Sequence, residues 1–215
     1  MPRSSALKLS GGLLLAASAW TLGIALTSRP AAPVPDRWAA GIVQTGSATS
    51  AMGTTPTMGR SRPIELDIPA IDVHTSVAEV GLNPSGTIEV PHPGPDYDAA
   101  AWYRYSPTPG ERGPAIIEGH LDTTEGPSVF YRLGALHPGD QVDITRADGR
   151  SAIFQITAVR RYAKAAFPTA EVYGDLDHPG LRLITCGGDL DPVTHHYQDN
   201  TVVFADLLPT FGAPI

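Results

Sequence analysis

The sequence predicts an all-β domain closed into a barrel, and three observations lead there. Short apolar runs alternate with polar residues at period two, as half-buried strands do. The 215 residues include 22 glycines and 21 prolines, breakers that suit short strands joined by turns and not a bundle of long helices. About eight strand-like segments fit into roughly 145 residues, and closure into a barrel leaves no exposed edge.

Taken in order, the chain opens with Arg3 and Lys8 before an uncharged apolar stretch, Leu9–Thr27. Its length of about 19 residues approaches the ~20 that span a bilayer. The two cations predict a cytoplasmic N-terminus and an extracellular remainder. A cleaved signal peptide is the rival, because Ala17-Ser18-Ala19 fits a cleavage site. That cleavage would leave a very short apolar core, so residues 1–28 are read as a single-pass membrane anchor. Residues 29–62, rich in Pro, Ala, Gly, Ser and Thr, read as a flexible stalk. Residues 63–208 form the folded domain and 209–215 a tail.

Within the domain, Ile64-Glu65-Leu66-Asp67-Ile68 alternates cleanly, and Thr87-Ile88-Glu89-Val90 follows the Pro84-Ser85-Gly86 turn. Ala115–Gly119 reads as a short buried strand. Val142–Thr145 and Ala152–Val159 flank Ala147-Asp148-Gly149, a hairpin signal. Leu181–Thr185 and Thr201–Ala205 supply the last strands, and Ser128–Leu136 and Ala170–Tyr173 suit short helices.

The net charge of −7 disfavours a nucleic-acid partner, which calls for clustered Lys and Arg. No CxxC or HExxH motif and no acidic cluster points to zinc or calcium, so no metal or cofactor is expected. The one cysteine, Cys186, ends an apolar run and precedes two glycines in Leu183-Ile184-Thr185-Cys186-Gly187-Gly188. Outside the cytosol a lone cysteine is a buried filler, an intermolecular bridge or a nucleophile. A nucleophilic thiol needs a neighbouring base or cation. Of seven histidines, His120 is the best placed, at a strand end after Gly119. His92, His137 and His178 neighbour prolines and read as surface residues, while His195 and His196 follow the cysteine in a loop.

These residues resemble the sortases, membrane-anchored cysteine transpeptidases of Gram-positive bacteria. The resemblance rests on Gly119-His120-Leu121-Asp122, on Leu183–Gly188, and on Tyr197-x-x-Asn200-Thr201-Val202-Val203-Phe204-Ala205. Lesser matches are Ala101-Trp102-Tyr103, Gly113-Pro114-Ala115, Pro138-Gly139-Asp140 and Phe167-Pro168-Thr169. The Thr-Cys-Gly-Gly form is most similar to the actinobacterial class F group, then class E. The resemblance implies an eight-stranded sortase-type β-barrel with one or two short helices. It implies cleavage of a Leu-Pro-x-Thr-Gly-like signal on secreted proteins through a thioester, then transfer to an amine, usually of a peptidoglycan precursor. Cys186 takes the nucleophile's place and His120 that of the general acid and base.

The family's arginine, five residues before the closing alanine, is replaced here by Asn200, which brings an amide but no charge. Arg182 is the candidate substitute, because period-two alternation puts it on the Cys186 face. The rival for Arg182 is a structural ion pair with Asp122 or Glu118. Thr185 and Ile184 are expected beside bound substrate. Other extracytoplasmic cysteine enzymes fit less well: the Ser-His-Gly-Cys context of L,D-transpeptidases is absent, and papain-like enzymes place cysteine before histidine. Two alternatives stay open, a hydrolytic cysteine peptidase and a catalytically impaired module that binds sorting signals.

Overall fold

The computed structural model describes residues 31–35 and 56–209, so the expected membrane span and most of the C-terminal tail lie outside the described residues. Among the described residues, ten strands and one α-helix follow in order: β1 (Pro63–Ile68), β2 (Val73–Val80), β3 (Ala100–Tyr103), β4 (Gly113–Glu118), β5 (Asp122–Thr123), β6 (Gly126–Pro127), β7 (Gln141–Arg146), β8 (Ser151–Ala163), α1 (Thr169–Tyr173), β9 (Pro179–Leu190) and β10 (Tyr197–Leu207). Eight of them close a barrel in the order β1-β2-β3-β4-β9-β10-β8-β7, and β5 and β6 form a separate small hairpin. The fold is therefore the closed eight-stranded barrel that the alternating runs predict. Closure comes from antiparallel pairing of β1 with β7, Leu66 opposite Ile144. The β2–β3 and β4–β9 pairs are parallel.

Two apolar clusters explain why the last strands read as continuous hydrophobic runs. Leu66, Ile68, Ile117, Ile144, Phe154, Leu181, Leu183 and Val203 belong to the main core. Ile116, Ala158, Val172, Ile184, Val202 and Phe204 form a second cluster, with Tyr103, Phe167 and Tyr173 packed against it. Leu183 and Ile184 are successive residues on β9, so their side chains leave opposite faces of the sheet. The first cluster fills the barrel and the second covers its outer face beneath α1. A strand buried on both faces loses the polar half of its alternation.

Three local expectations differ from what forms. Thr87–Val90 makes no strand; only an isolated bridge joins Leu82 to Ile88. The Asn83 side chain takes the backbone N–H groups of Ser85 and Thr87, and prolines at 91, 93 and 95 cannot donate to a ladder. Ser128–Leu136 makes turns and a single 3-10 turn at Leu133–Ala135. β2 and β3 go unread as strands, because β2 is polar and half exposed and β3 spans four residues. The helix expected at Ala170–Tyr173 forms as α1.

Residues 56–62, within the segment read as stalk, lie against the barrel. Met58 is buried in the main core, and its N–H donates to the Gly110 carbonyl at 2.7 Å. Arg146, fully buried at the end of β7, donates to the carbonyls of Pro109 (3.0 Å) and Gly59 and to Asp148 at 3.1 Å. A buried guanidinium needs such acceptors, and here they bind the entering chain to the barrel.

Candidate active site

Cys186 lies near the end of β9 on its outward face, two residues beyond Ile184. The same alternation puts Arg182 on that face. On one side β10 places Asn200 directly opposite Cys186. On the other, β4 runs parallel with Glu118 level with Ile184. Extending that register by two residues brings His120 level with Cys186. Two hydrogen bonds hold this extension: Gly119 N–H donates to the Ile184 carbonyl at 3.1 Å, and the Thr185 hydroxyl donates to the Gly119 carbonyl at 2.8 Å.

The glycines flanking the two candidate catalytic residues answer to packing. A side chain at Gly119 would meet Phe130 and Val129 at 2.7 Å. Gly188 has φ +77° and sits against Asp199. β9 takes an extra residue there relative to β10, between the Tyr197–Leu190 and Asp199–Gly187 pairs. A bulge with glycine in the left-handed region ends regular pairing and re-aims the strand, here just past the thiol.

Cys186, His120, Asn200, Ile184 and Thr185 line one open groove of about 850 Å³, together with Glu118, Lys164, Phe167 and Tyr173. The His120 ring stands edge-on to Tyr97, centroids 4.9 Å apart. Its Nε2 is 2.9 Å from the Pro91 carbonyl oxygen. A carbonyl can only accept, so Nε2 carries a proton, and in the neutral ring Nδ1 is the nitrogen free to take another. Asp122 accepts a hydrogen bond from the Tyr197 hydroxyl at 2.6 Å, tying the segment after His120 to β10.

The sequence reading missed Lys164. It follows β8 immediately, and its Nζ donates to the Cys186 sulfur at 3.4 Å. The signal was available only through topology, because β8 reaches the groove by pairing with β10, Ala163 opposite Asp199.

Arg182 is on the expected face but is not brought to the groove. It lies four residues from Cys186, about 13 Å along a strand. Its guanidinium carbon sits over the Phe204 ring, 4.5 Å from the centroid, and Nη1 donates to the Leu181 carbonyl at 3.0 Å. The Nε is buried without a partner among the described residues, and burial lowers the Arg182 pKa. Neither Asp122 nor Glu118 pairs with it among the described residues. Thr185 and Ile184 both line the groove and are 3% and 4% exposed; the Thr185 hydroxyl is spent on positioning Gly119.

Of the remaining histidines, His178 contacts Asp177 and Asp206 at 2.8 and 3.2 Å, which raises its pKa, and none of His92, His137, His195 and His196 lines the groove. Among the described residues no three His, Cys, Asp or Glu side chains gather where they could share a metal ion. A thiol, an imidazole and a cation over an extended groove suit nucleophilic attack on a peptide carbonyl.

The sortase domain family matches residues 66–208. Solved structures with the same fold include a sortase D5 transpeptidase of Clostridium perfringens, at 22% identity over 68% of this chain and 79% of that one (TM-score 0.50). Sortase A of Corynebacterium diphtheriae, as a lid mutant, is 17% identical over 70% and 72% of the two chains (TM-score 0.51). Sortase C1 of Streptococcus agalactiae, in complex with MTSET, is 16% identical over 70% and 69% (TM-score 0.53). No curated protein matches the chain in sequence.

Proposed function

Because the chain belongs to the sortase family, we propose that it is a cysteine transpeptidase that cleaves a C-terminal sorting motif of the Leu-Pro-x-Thr-Gly kind and passes the protein to an amine. The observation that carries this reading is the convergence of Cys186 on β9, Asn200 on β10 and His120 just past the end of β4 on one groove. The class F-like Thr-Cys-Gly-Gly segment supports an actinobacterial type of substrate. The apolar Leu9–Thr27 stretch supports a membrane-anchored domain facing the cell wall, with a peptidoglycan precursor as amine donor.

In this mechanism the Cys186 sulfur attacks the scissile carbonyl carbon. The tetrahedral intermediate collapses as the C–N bond breaks, and His120 gives a proton to the leaving amine. The thioester that remains is attacked by the incoming amine. His120 takes that amine's proton, and the sulfur leaves. Lys164 supplies a positive charge beside the sulfur, and the Asn200 amide, opposite Cys186, donates to the oxyanion. Thr185 holds Gly119, and through it His120, level with the thiol. Arg182, although on the same strand face, packs against Phe204 and has no part in these steps.

The test is a motif-library cleavage assay with and without added amine, read by mass spectrometry. An amine-dependent product, with a thioester trapped on Cys186, is the expected result; release of free acid alone marks a hydrolase. Asn200 in the arginine's place favours a second reading, a module that binds sorting signals without cleaving them. Absence of any adduct between Cys186 and a motif-bearing vinyl sulfone supports that reading over the first.

A further inference from the structure

Besides Asp175 and three tyrosines, the groove holds a carboxyl group that has no part in the mechanism above. Glu118 is the last residue of β4 and sits level with Ile184. It lines the groove together with Ile116, Ile184, Phe167, Tyr103 and Tyr173, and the same groove also holds a second carboxylate, Asp175. No hydrogen bond or ion pair reaches its carboxylate among the described residues. Burial pushes its pKa up to about 7. The other titratable side chains of the groove are Tyr103, Tyr105, His120, Lys164, Tyr173 and Asp175, and burial, with the Glu118 charge as a smaller contribution, raises Tyr173. The phenols cannot supply the missing positive charge. Among the described residues that line the groove, Lys164 is the one Lys or Arg, and it is engaged with the Cys186 sulfur.

Glu118 is half-buried, and an unpaired carboxylate there loses part of its hydration without compensation. A ligand that brings a cation to it recovers that loss, and one that brings an apolar or acidic group does not. The register gives the distance. Glu118 precedes His120 by two residues and Ile184 precedes Cys186 by two, about 7 Å along either strand. A substrate bound in extended form advances about 3.3 Å per residue, so the side chain that meets Glu118 lies about two residues from the scissile bond.

We propose that Glu118 is a specificity-determining residue, selecting peptide substrates with a lysine or arginine about two residues from the scissile bond. This deepens the transpeptidase reading and rests on it for the identity of the peptide, not for the contact.

The test uses the full-length protein in detergent and one extended peptide scaffold of the Leu-Pro-x-Thr-Gly kind. Each position in turn is varied to Lys, Gln, Leu or Glu. Binding is measured by fluorescence anisotropy on Cys186→Ala, and thioester formation on the protein with its thiol. At one position about two residues from the bond, the Lys peptide is expected to bind at least tenfold tighter than the Leu and Glu peptides. Glu118→Gln brings that ratio below threefold, and Glu118→Lys transfers the preference to the Glu peptide. The preference also fades between pH 8 and pH 5 as the carboxyl takes up its proton. A Glu118→Gln profile that superimposes on the parent's overturns the proposal, whatever the catalytic result. A lysine preference without thioester formation overturns the transpeptidase reading and supports this one. Failure of every peptide to bind overturns both.

Discussion

Lys164 Nζ lies 3.4 Å from Cys186 Sγ, although 22 residues separate them in the chain. The contact exists because β8 and β9 flank β10 on opposite sides and both end at the same rim. A cation at this range attracts the negative charge that the sulfur carries as it attacks an electrophile. Lys164→Met is therefore expected to slow iodoacetamide labelling of Cys186 at pH 7 by about three- to tenfold, with Lys164→Arg closer to the parent. Equal labelling rates for the Met variant and the parent exclude the charge as the cause.

His120→Ala is expected to lower turnover by about 10²–10⁴-fold, the usual worth of a positioned acid and base. Because Gly119 and Thr185 hold the strand end independently of the ring, the variant should keep the parent's thermal midpoint. Single-turnover acylation measured by quenched-flow mass spectrometry separates the two effects. Unchanged turnover rejects the assignment.

Asn200 and Arg182 make opposite predictions from one experiment. Asn200 faces Cys186 across the β9–β10 ladder, and loss of an oxyanion donor costs about 10²–10³-fold in rate. Asn200→Ala should slow acylation on that scale. Arg182→Met removes a guanidinium whose contacts are the Phe204 ring and the Leu181 carbonyl, and acylation should stay within about threefold of the parent. A large acylation defect in Arg182→Met, with folding intact, restores the oxyanion role expected from its place on the strand.

Glu118 also sets a pH dependence of stability. Its folded pKa of about 7 lies above the ordinary glutamate value, so the folded state holds a proton that the unfolded chain releases earlier. Stability from this group is complete below the unfolded pKa and is lost as pH rises through 7. Between pH 5 and pH 8 the parent should lose more stability than Glu118→Gln. The difference is on the order of 1–2 kcal/mol after allowance for solvent in the groove. His178 titrates in both proteins and cancels in the comparison. Urea midpoints at the two pH values give the measurement, and parallel losses refute the assignment.

Arg146 offers a purely structural test. Its removal leaves the Pro109 and Gly59 carbonyls without their donor and opens space at a fully buried position. Arg146→Ala is expected to cost about 3 kcal/mol and to increase proteolysis near residues 56–62. An unchanged unfolding midpoint contradicts the idea that this side chain fastens the entering segment.

How much of this was legible in the sequence depended on the kind of contact. Ile64–Ile68 and the Asp148-Gly149 hairpin were readable because alternation and turn chemistry are local. Cys186 and His120 were readable as an unusual thiol and a strand-end imidazole. Thr87–Val90 looked like a strand because its alternation is real, yet Asn83 and the following prolines take away its pairing. Lys164 was invisible because nothing near residue 164 mentions residue 186; only the order of strands in the barrel does. Arg182 was correctly assigned a face but not a direction, since alternation says nothing of where a long side chain ends. An aromatic ring beside it, Phe204, captured the guanidinium.

The parallel pairing of β4 with β9 has a consequence for how the domain is made. Residues 118–120 and 184–186 meet only through that pair, and the hydrogen bond joining Gly119 to Thr185 closes a loop of 66 residues. Long loops close late, because the entropy of closure must be met before any contact rewards it. A nascent or half-refolded chain in which β4 and β9 have not yet paired thus carries its thiol well apart from His120.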